Sequence, residues 1–287
     1  MDKSQSLHKL HLLYHYTKSG EKIKSILHRF FPSGIFWRKG GMIMPHLWSL
    51  GTSPSHACAC QLLRRNNYLI EKEWTEETQG VLLDIPSFRD GDRDWESLFS
   101  RLKPGARVFG GNLGNRVPSH LVQFDLLQDA EYTCRNADLT ARCALRLACG
   151  KLTKTLPGLP VLVIGWGRIG KSLAKLLEAL GANCSVYARK EADRAMLKAL
   201  GYSAVNREQM LALLPATELI FNTAPELVID AASSKRCTGL MMDLASTPGI
   251  EGANVLRARG LPGKIAPESS GELIAATVIR LWEENAQ

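Results

Sequence analysis

Apolar positions in the C-terminal half of the chain switch repeatedly between two periods. Val161 to Ile164 is a continuous apolar run, Lys171 to Gly181 carries Leu173, Leu176, Leu177 and Leu180 at helical spacing, and Cys184 to Ala188 is strand-like again. The alternation continues with helices over Ala192 to Leu200 and Arg207 to Leu214 and strands at Ser203 to Val205, Glu218 to Asn222 and Gly239 to Leu244. Strands alternating with helices in this way predict a doubly wound parallel sheet. Upstream, residues 42–124 are more mixed: helices over Ala57 to Arg65 and Asp94 to Leu102, with strands at Gly80 to Ile85 and Ala106 to Gly110, predict a smaller α/β unit. Tyr132 to Cys149 repeats at helical spacing between the two halves and reads as an inter-domain helix, with a cleft beside it.

Between the first strand and helix of the second half stands Gly165-Trp166-Gly167-Arg168-Ile169-Gly170, a GxGxxG loop in its proper setting. Gly165 suits the tight turn, Gly167 admits a pyrophosphate close to the backbone, and Gly170 lets helix and strand pack; the helix start, with Arg168 and Ile169, faces the anion with free N–H groups. A glycine-rich turn serving packing only is the competing reading. The strand Cys184 to Ala188 runs into Arg189-Lys190, two cations where an NAD site usually carries an acid, which favours NADP, with NAD as the alternative. A solvated helix start would use the same residues. In such sheets ligands lie beyond the carboxyl ends of the strands. Three loops there join small residues to hydrogen-bonding groups: Asn222-Thr223-Ala224-Pro225, Asp243-Leu244-Ala245-Ser246-Thr247-Pro248-Gly249, and Gly260 to Pro267 with Pro262, Gly263 and Lys264. The fold class is therefore α/β with two Rossmann-like domains. Its expected parts are a basic extension over 1–41, a small α/β domain over 42–130, the junction helix over 131–150, and a dinucleotide-binding domain with a C-terminal helix over 151–287.

Charge and cysteines narrow the setting. The formal charge is +8, but Met1 to Gly40 holds eight Lys or Arg against Asp2 and Glu21, a net +6, so the remainder carries only +2. That distribution, without aromatics interleaved among the cations, argues against a nucleic-acid partner. The head, with His8, His11, His15 and His28, reads as a weakly ordered extension or an arm for an acidic partner. Seven scattered cysteines imply reduced thiols and a cytoplasmic location. His56, Cys58 and Cys60 do not share one helical face, so no metal site is expected. No run reaches the roughly 18 apolar residues of a membrane span.

The same segments are similar to those of a known family, the bacterial dipicolinate synthase A chains, from about Leu126 to the carboxyl end. The shared residues are the glycine loop with Leu180-Gly181-Ala182, Asn222 to Pro225, Asp243 to Ser246 with Pro248-Gly249, and Gly260 to Pro267 followed by Gly271; Asn136 and Thr140 match the family's junction positions. The resemblance implies an oxidoreductase that makes pyridine-2,6-dicarboxylate from a dihydrodipicolinate-level precursor during sporulation, in an oligomeric assembly and with a flavoprotein partner, the B chain. On that reading Asp243, Lys264, Asn136 and Thr140 are the catalytic candidates. Lys264, Arg142 and Arg116 are the cations for the two carboxylates of a small substrate. The chain departs from the family pattern where Arg142 and Cys143 replace a Glu-Gly pair, where the segment between Gly249 and Gly260 is short, and where the first domain lacks a glycine-aspartate-arginine start. These departures leave two other readings: a regulatory NADP-binding component of a flavoprotein complex, or a dehydrogenase for another small carboxylate.

Overall fold

The computed structural model describes residues 36–38, 41–89 and 93–285, with side chains from residue 44 onward. Most of the basic head, including its four histidines, lies outside the described residues. A short antiparallel hairpin, β1 (Phe36–Arg38) with β2 (Gly41–Ile43), leads into the first domain.

Two parallel sheets follow. The first joins β3 (His46–Ser49), β4 (Leu69–Glu71), β5 (Gly80–Leu82), β6 (Arg107–Gly110) and β7 (Val122–Asp125) in the order β4-β3-β5-β6-β7. Helix α1 (Pro54–Arg65) connects β3 to β4, and α2 (Trp95–Ser100) lies between β5 and β6. Alternation along each strand gives the sheet two buried faces. Leu47, Leu82 and Phe109 point into one core, while Trp48, Val81 and Val108 point into the other, with Phe99 of α2.

Helix α3 (Ala130–Cys149) spans the junction: Tyr132 lies in a first-domain core, and Ala141, Cys143, Ala144 and Ala148 in the second. The second sheet contains β8 (Pro160–Ile164), β9 (Asn183–Tyr187), β10 (Ser203–Val205), β11 (Leu219–Asn222), β12 (Leu240–Asp243) and β13 (Val255–Arg257). Its order is β10-β9-β8-β11-β12-β13, all parallel. Renumbered within the domain this is 3-2-1-4-5-6, the doubly wound order whose halves part between β8 and β11. Helices α4 (Arg168–Ala179), α5 (Glu191–Ala199), α6 (Arg207–Leu213) and α7 (Ala231–Ser234) provide the crossovers. Val161 and Val163 face one core, Leu162 and Ile164 the other. The sixth strand, β13, is not among the expected elements; it is only three residues long.

The last two helices are α8 (Leu261–Ile265) and α9 (Pro267–Glu284). Here the expected organisation needs correction. Helix α9 does not complete the second domain but returns to the first, where Leu273, Ile274, Ala275, Val278 and Trp282 join the core of Leu47, Leu63, Tyr68 and Phe109. Trp282 meets Tyr68 edge-on and stacks on Phe109, each at 5.9 Å, and Arg107 caps its outer face at 4.3 Å. A side chain at Gly271 would sit 2.5 Å from Cys58 Cβ, so glycine permits the close α1–α9 crossing. Arg280 of α9 donates to Asp129, the N-cap of α3, at 2.7 Å. Burial alone would raise the Asp129 pKa, but Arg280 and the Tyr132 amide outweigh it and hold the carboxyl below its usual range.

Candidate dinucleotide site

The glycine loop leaves β8 and enters α4 through Gly167. Gly165 has φ +101°, and a side chain there would meet Thr223 Oγ1 at 2.6 Å; one on Gly170 would collide with the Gly165 carbonyl. The first makes the turn and the second lets α4 press on the strand. Gly167 is different: a Cβ there would project into open space, and no side chain caps α4. The first N–H groups of α4 therefore lack a partner from an N-cap side chain, and the one position that could supply it is empty. Open space beside uncapped N–H donors is what a pyrophosphate requires, so the residues fit the cofactor that the motif implies. Arg168 is exposed at its rim and Ile169 packs inward. The Trp166 ring lies edge-on to Tyr202 at 5.7 Å.

The flanking loops are tied from below. Thr223 donates from its backbone N–H and its hydroxyl to the Ile164 carbonyl, at 2.8 and 2.9 Å, fixing the β11 loop against the glycine loop. Asn222 and Asp243, at neighbouring strand ends, are fully buried. Asn222 Nδ2 donates to Asp243 Oδ1 at 2.8 Å and to the Ala224 carbonyl at 3.1 Å. Asp243 also accepts from the backbone of Ala245, Gly249 and Ile250 and from the Arg257 guanidinium. Its expected catalytic role is thus corrected: both oxygens are spent holding the β12 loop, where Leu244 and Ala245 are buried. The Asn222 side chain is likewise committed, so contact with a cofactor from this loop falls to Thr223, Ala224 and the exposed Pro225.

At the other edge Arg189 and Lys190 lie beyond β9. Arg189 donates to Glu226 at 2.6 Å. The pair borders a hollow of about 380 Å³ lined by Tyr187, Arg194, Arg207, Leu227 and Val228. Neither Glu226 nor these two arginines stands out in the sequence; the available signal is an acid directly after Asn-Thr-Ala-Pro.

The substrate-side candidates are not brought together. Lys264 lines a separate hollow of about 450 Å³ with Arg146, Gly150 and Lys151 at the far end of α3, and none of the glycine-loop residues borders it. Arg142 pairs with Asp138 one turn away at 2.7 Å, and Arg116 sits over Phe88. Asn136 and Thr140 are one turn apart on α3, the Thr140 hydroxyl donating to the Asn136 carbonyl at 2.7 Å. Pro262 is buried, and Gly263 faces Ser55 across the domain junction. In the first domain, Asp84 accepts from the Thr52 and Ser53 amides, at 2.7 and 3.2 Å, and from the Ser53 hydroxyl at 2.5 Å. Burial would raise the Asp84 pKa, but the Ser53 hydroxyl and the Thr52 amide outweigh it, and the net shift is downward. The His56 ring is hydrogen-bonded to Ser49 Oγ (2.7 Å), and burial lowers its pKa. His46 pairs with Glu71.

Residues 135–243 match the family model of the D-isomer specific 2-hydroxyacid dehydrogenase, NAD-binding domain. The A chain of dipicolinate synthase from Bacillus subtilis (strain 168) is 31% identical over 183 residues, or 60% of this chain and 61% of that protein. This chain is similar to the dipicolinate synthase A chains. The match spans less than two thirds of that protein's length. The crystal structure of the dipicolinate synthase A chain from Bacillus halodurans has a TM-score of 0.70 at 20% identity, over 82% of this chain and 97% of that one. The Bacillus subtilis structure gives 0.68 at 21%, over 83% and 95%. A transhydrogenase from Sinorhizobium meliloti gives 0.62 at 15%, over 78% and 80%, a likeness of fold. As in the dipicolinate synthase A structures, the fold is α/β, and residues 135–243 are of the nicotinamide-dinucleotide-binding type of the family model. Among the described residues no helix is long and apolar enough to cross a membrane.

Proposed function

We propose that this chain is an NADP-using oxidoreductase of the dipicolinate synthase A type, acting on a dihydrodipicolinate-level dicarboxylate to give pyridine-2,6-dicarboxylate. The observation that carries the reading is the uncapped start of α4 at Gly167, together with the arginine-bordered hollow at the end of the neighbouring strand β9, whose Tyr187 carbonyl accepts from the Gly165 amide. The α4 N–H groups and Gly167 would receive the pyrophosphate, Arg189 and Lys190 a 2′-phosphate, and Thr223, Ala224, Pro225, Pro262 and Gly263 the far half of the dinucleotide. When bound, the dinucleotide supplies a two-electron acceptor. Aromatising a dihydropyridine removes two electrons and two protons, so the chain's own task is to orient the ring and exclude water. Asn136 and Thr140, on the junction helix, are the groups we assign to that task.

A second reading is supported by the scattered cations. With Lys264, Arg142 and Arg116 apart, and the first domain's loop amides occupied by Asp84, the chain binds NADP but gains turnover only with a flavoprotein B chain. Titrating NADPH and NADH against Trp fluorescence, with Trp166 inside the loop as reporter, tests the cofactor; turnover of the dihydro dicarboxylate by the chain with and without a flavoprotein separates the two readings. Turnover without a partner supports the first, turnover only on mixing the second, and absence of binding by either nucleotide overturns both.

A further inference from the structure

We propose that Glu226 sets the choice between NADPH and NADH, by holding Arg189 in the nucleotide-free protein and opposing the 2′-phosphate when it arrives. The inference rests on the cofactor reading above. Strands β9 and β11 flank β8, so the Arg189–Glu226 pair, formed just beyond the ends of the two outer strands, bridges the edge from which the glycine loop departs. Arg194 donates to the carbonyls of Ala188 and Arg189, at 2.9 and 2.7 Å, and fixes the turn that presents Arg189. Arg207 lies near enough to Asp230 to help lower that carboxyl's pKa, after the larger effect of the Ser233 amide and hydroxyl. Arg189 is therefore the guanidinium whose partner sits on the rim of the hollow.

That partnership is readily exchanged. The side chains of Arg189 and Glu226 are 68% and 45% exposed, so the ion pair is screened by solvent. A phosphate near pH 7 carries close to two negative charges and three acceptor oxygens, and is a better fork partner for a guanidinium than a single carboxylate. Once Arg189 turns to the phosphate, the Glu226 carboxylate remains beside it as a like charge. NADH carries no such phosphate and leaves the pair intact. Glu226 thus penalises NADPH selectively, and it acts through charge.

The test is to measure dissociation constants of NADPH and NADH for the full chain, Glu226→Gln, Arg189→Ala and the double variant, at about 0.05 M and about 0.5 M salt. Glu226→Gln should tighten NADPH about three- to fivefold, the range an exposed pair is worth, and move NADH by less than about twofold. The gain should shrink at the higher salt, and should be smaller in the Arg189→Ala background, where there is no cation to release and only the like-charge repulsion is relieved. Equal tightening of both nucleotides, or an unchanged NADPH constant while both still bind, overturns the role of Glu226 and leaves the cofactor reading standing. Failure of the unaltered chain to bind either nucleotide overturns the cofactor reading itself.

Discussion

The two domains solve the same local problem in opposite ways. Each begins with a parallel strand, a short loop and a helix whose first N–H groups need acceptors. In the first domain the chain supplies one: Ser53 caps α1 by accepting from the His56 amide, and Asp84 holds that cap in place by taking the Thr52 and Ser53 amides and the Ser53 hydroxyl. In the second, Gly167 offers nothing and its surroundings are open. One helix start is closed by its own sequence, and the other carries no cap, as the proposed anion site requires. An α/β scaffold therefore does not by itself make a binding site; what matters is whether the loop satisfies its own donors.

The largest effect on stability that sharpens this contrast should come from beneath the open site. Asp243→Ala leaves the Asn222 amide, the Gly249 and Ile250 N–H groups and Arg257 without their acceptor, and removing one partner of such a buried network costs about 3–5 kcal/mol. Urea unfolding reads this directly, and a loss below about 1 kcal/mol would show that the tie is dispensable. Next is Gly170→Ala, whose added carbon collides with the Gly165 carbonyl. Overpacking of this kind costs about 1–3 kcal/mol, and nucleotide affinity should fall with it.

In the closed domain, Asp84→Asn should cost about 1–2 kcal/mol, the order of the hydrogen bonds by which its carboxylate holds the cap residue Ser53. Because the folded Asp84 carboxyl has a lowered pKa, its contribution is in place above the ordinary carboxylate range and is lost as pH falls through the folded value. An acid titration of stability should thus be shallower in the variant than in the parent; identical slopes would assign the acid limb to other carboxylates, Asp129 among them. The smallest stability change belongs to Gly167→Asp, which gives the open helix the kind of cap the closed one has. Stability should rise by less than about 1 kcal/mol while nucleotide binding weakens more than about tenfold, because a carboxylate now stands in the cradle. Retained affinity in that variant would break the comparison.

What can be read from the sequence follows the range of the forces involved. The glycine loop, α4 and the strands around it are legible because their signals are local: strand and helix periods meet at Gly165 to Gly170, and glycine is needed there for steric reasons. The junction helix, expected over Tyr132 to Cys149, begins two residues earlier at Ala130, where Asp129 caps it. What is not legible depends on partners distant along the chain. The apolar stripe of α9 announces a buried helix but not which core receives it. Lys264 lies in a recognisable motif, yet a motif does not say which way a five-residue helix turns its lysine. Asp243 is a catalytic candidate by resemblance, and only the positions of Ala245, Gly249, Ile250 and Arg257 around it reveal a tie.

The return of α9 has a consequence for how the protein is made. Synthesis runs from the amino end, so the strands of the first domain leave the ribosome well before Leu273 and Trp282, which fill its core. The second domain, whose strands and core residues end by Ala266, has all its parts sooner. Domains that are contiguous in sequence tend to fold as they emerge. Here the order is reversed: the half translated later is the first able to close, and the half translated earlier must wait with Leu47, Phe109 and Tyr68 uncovered until the last helix arrives.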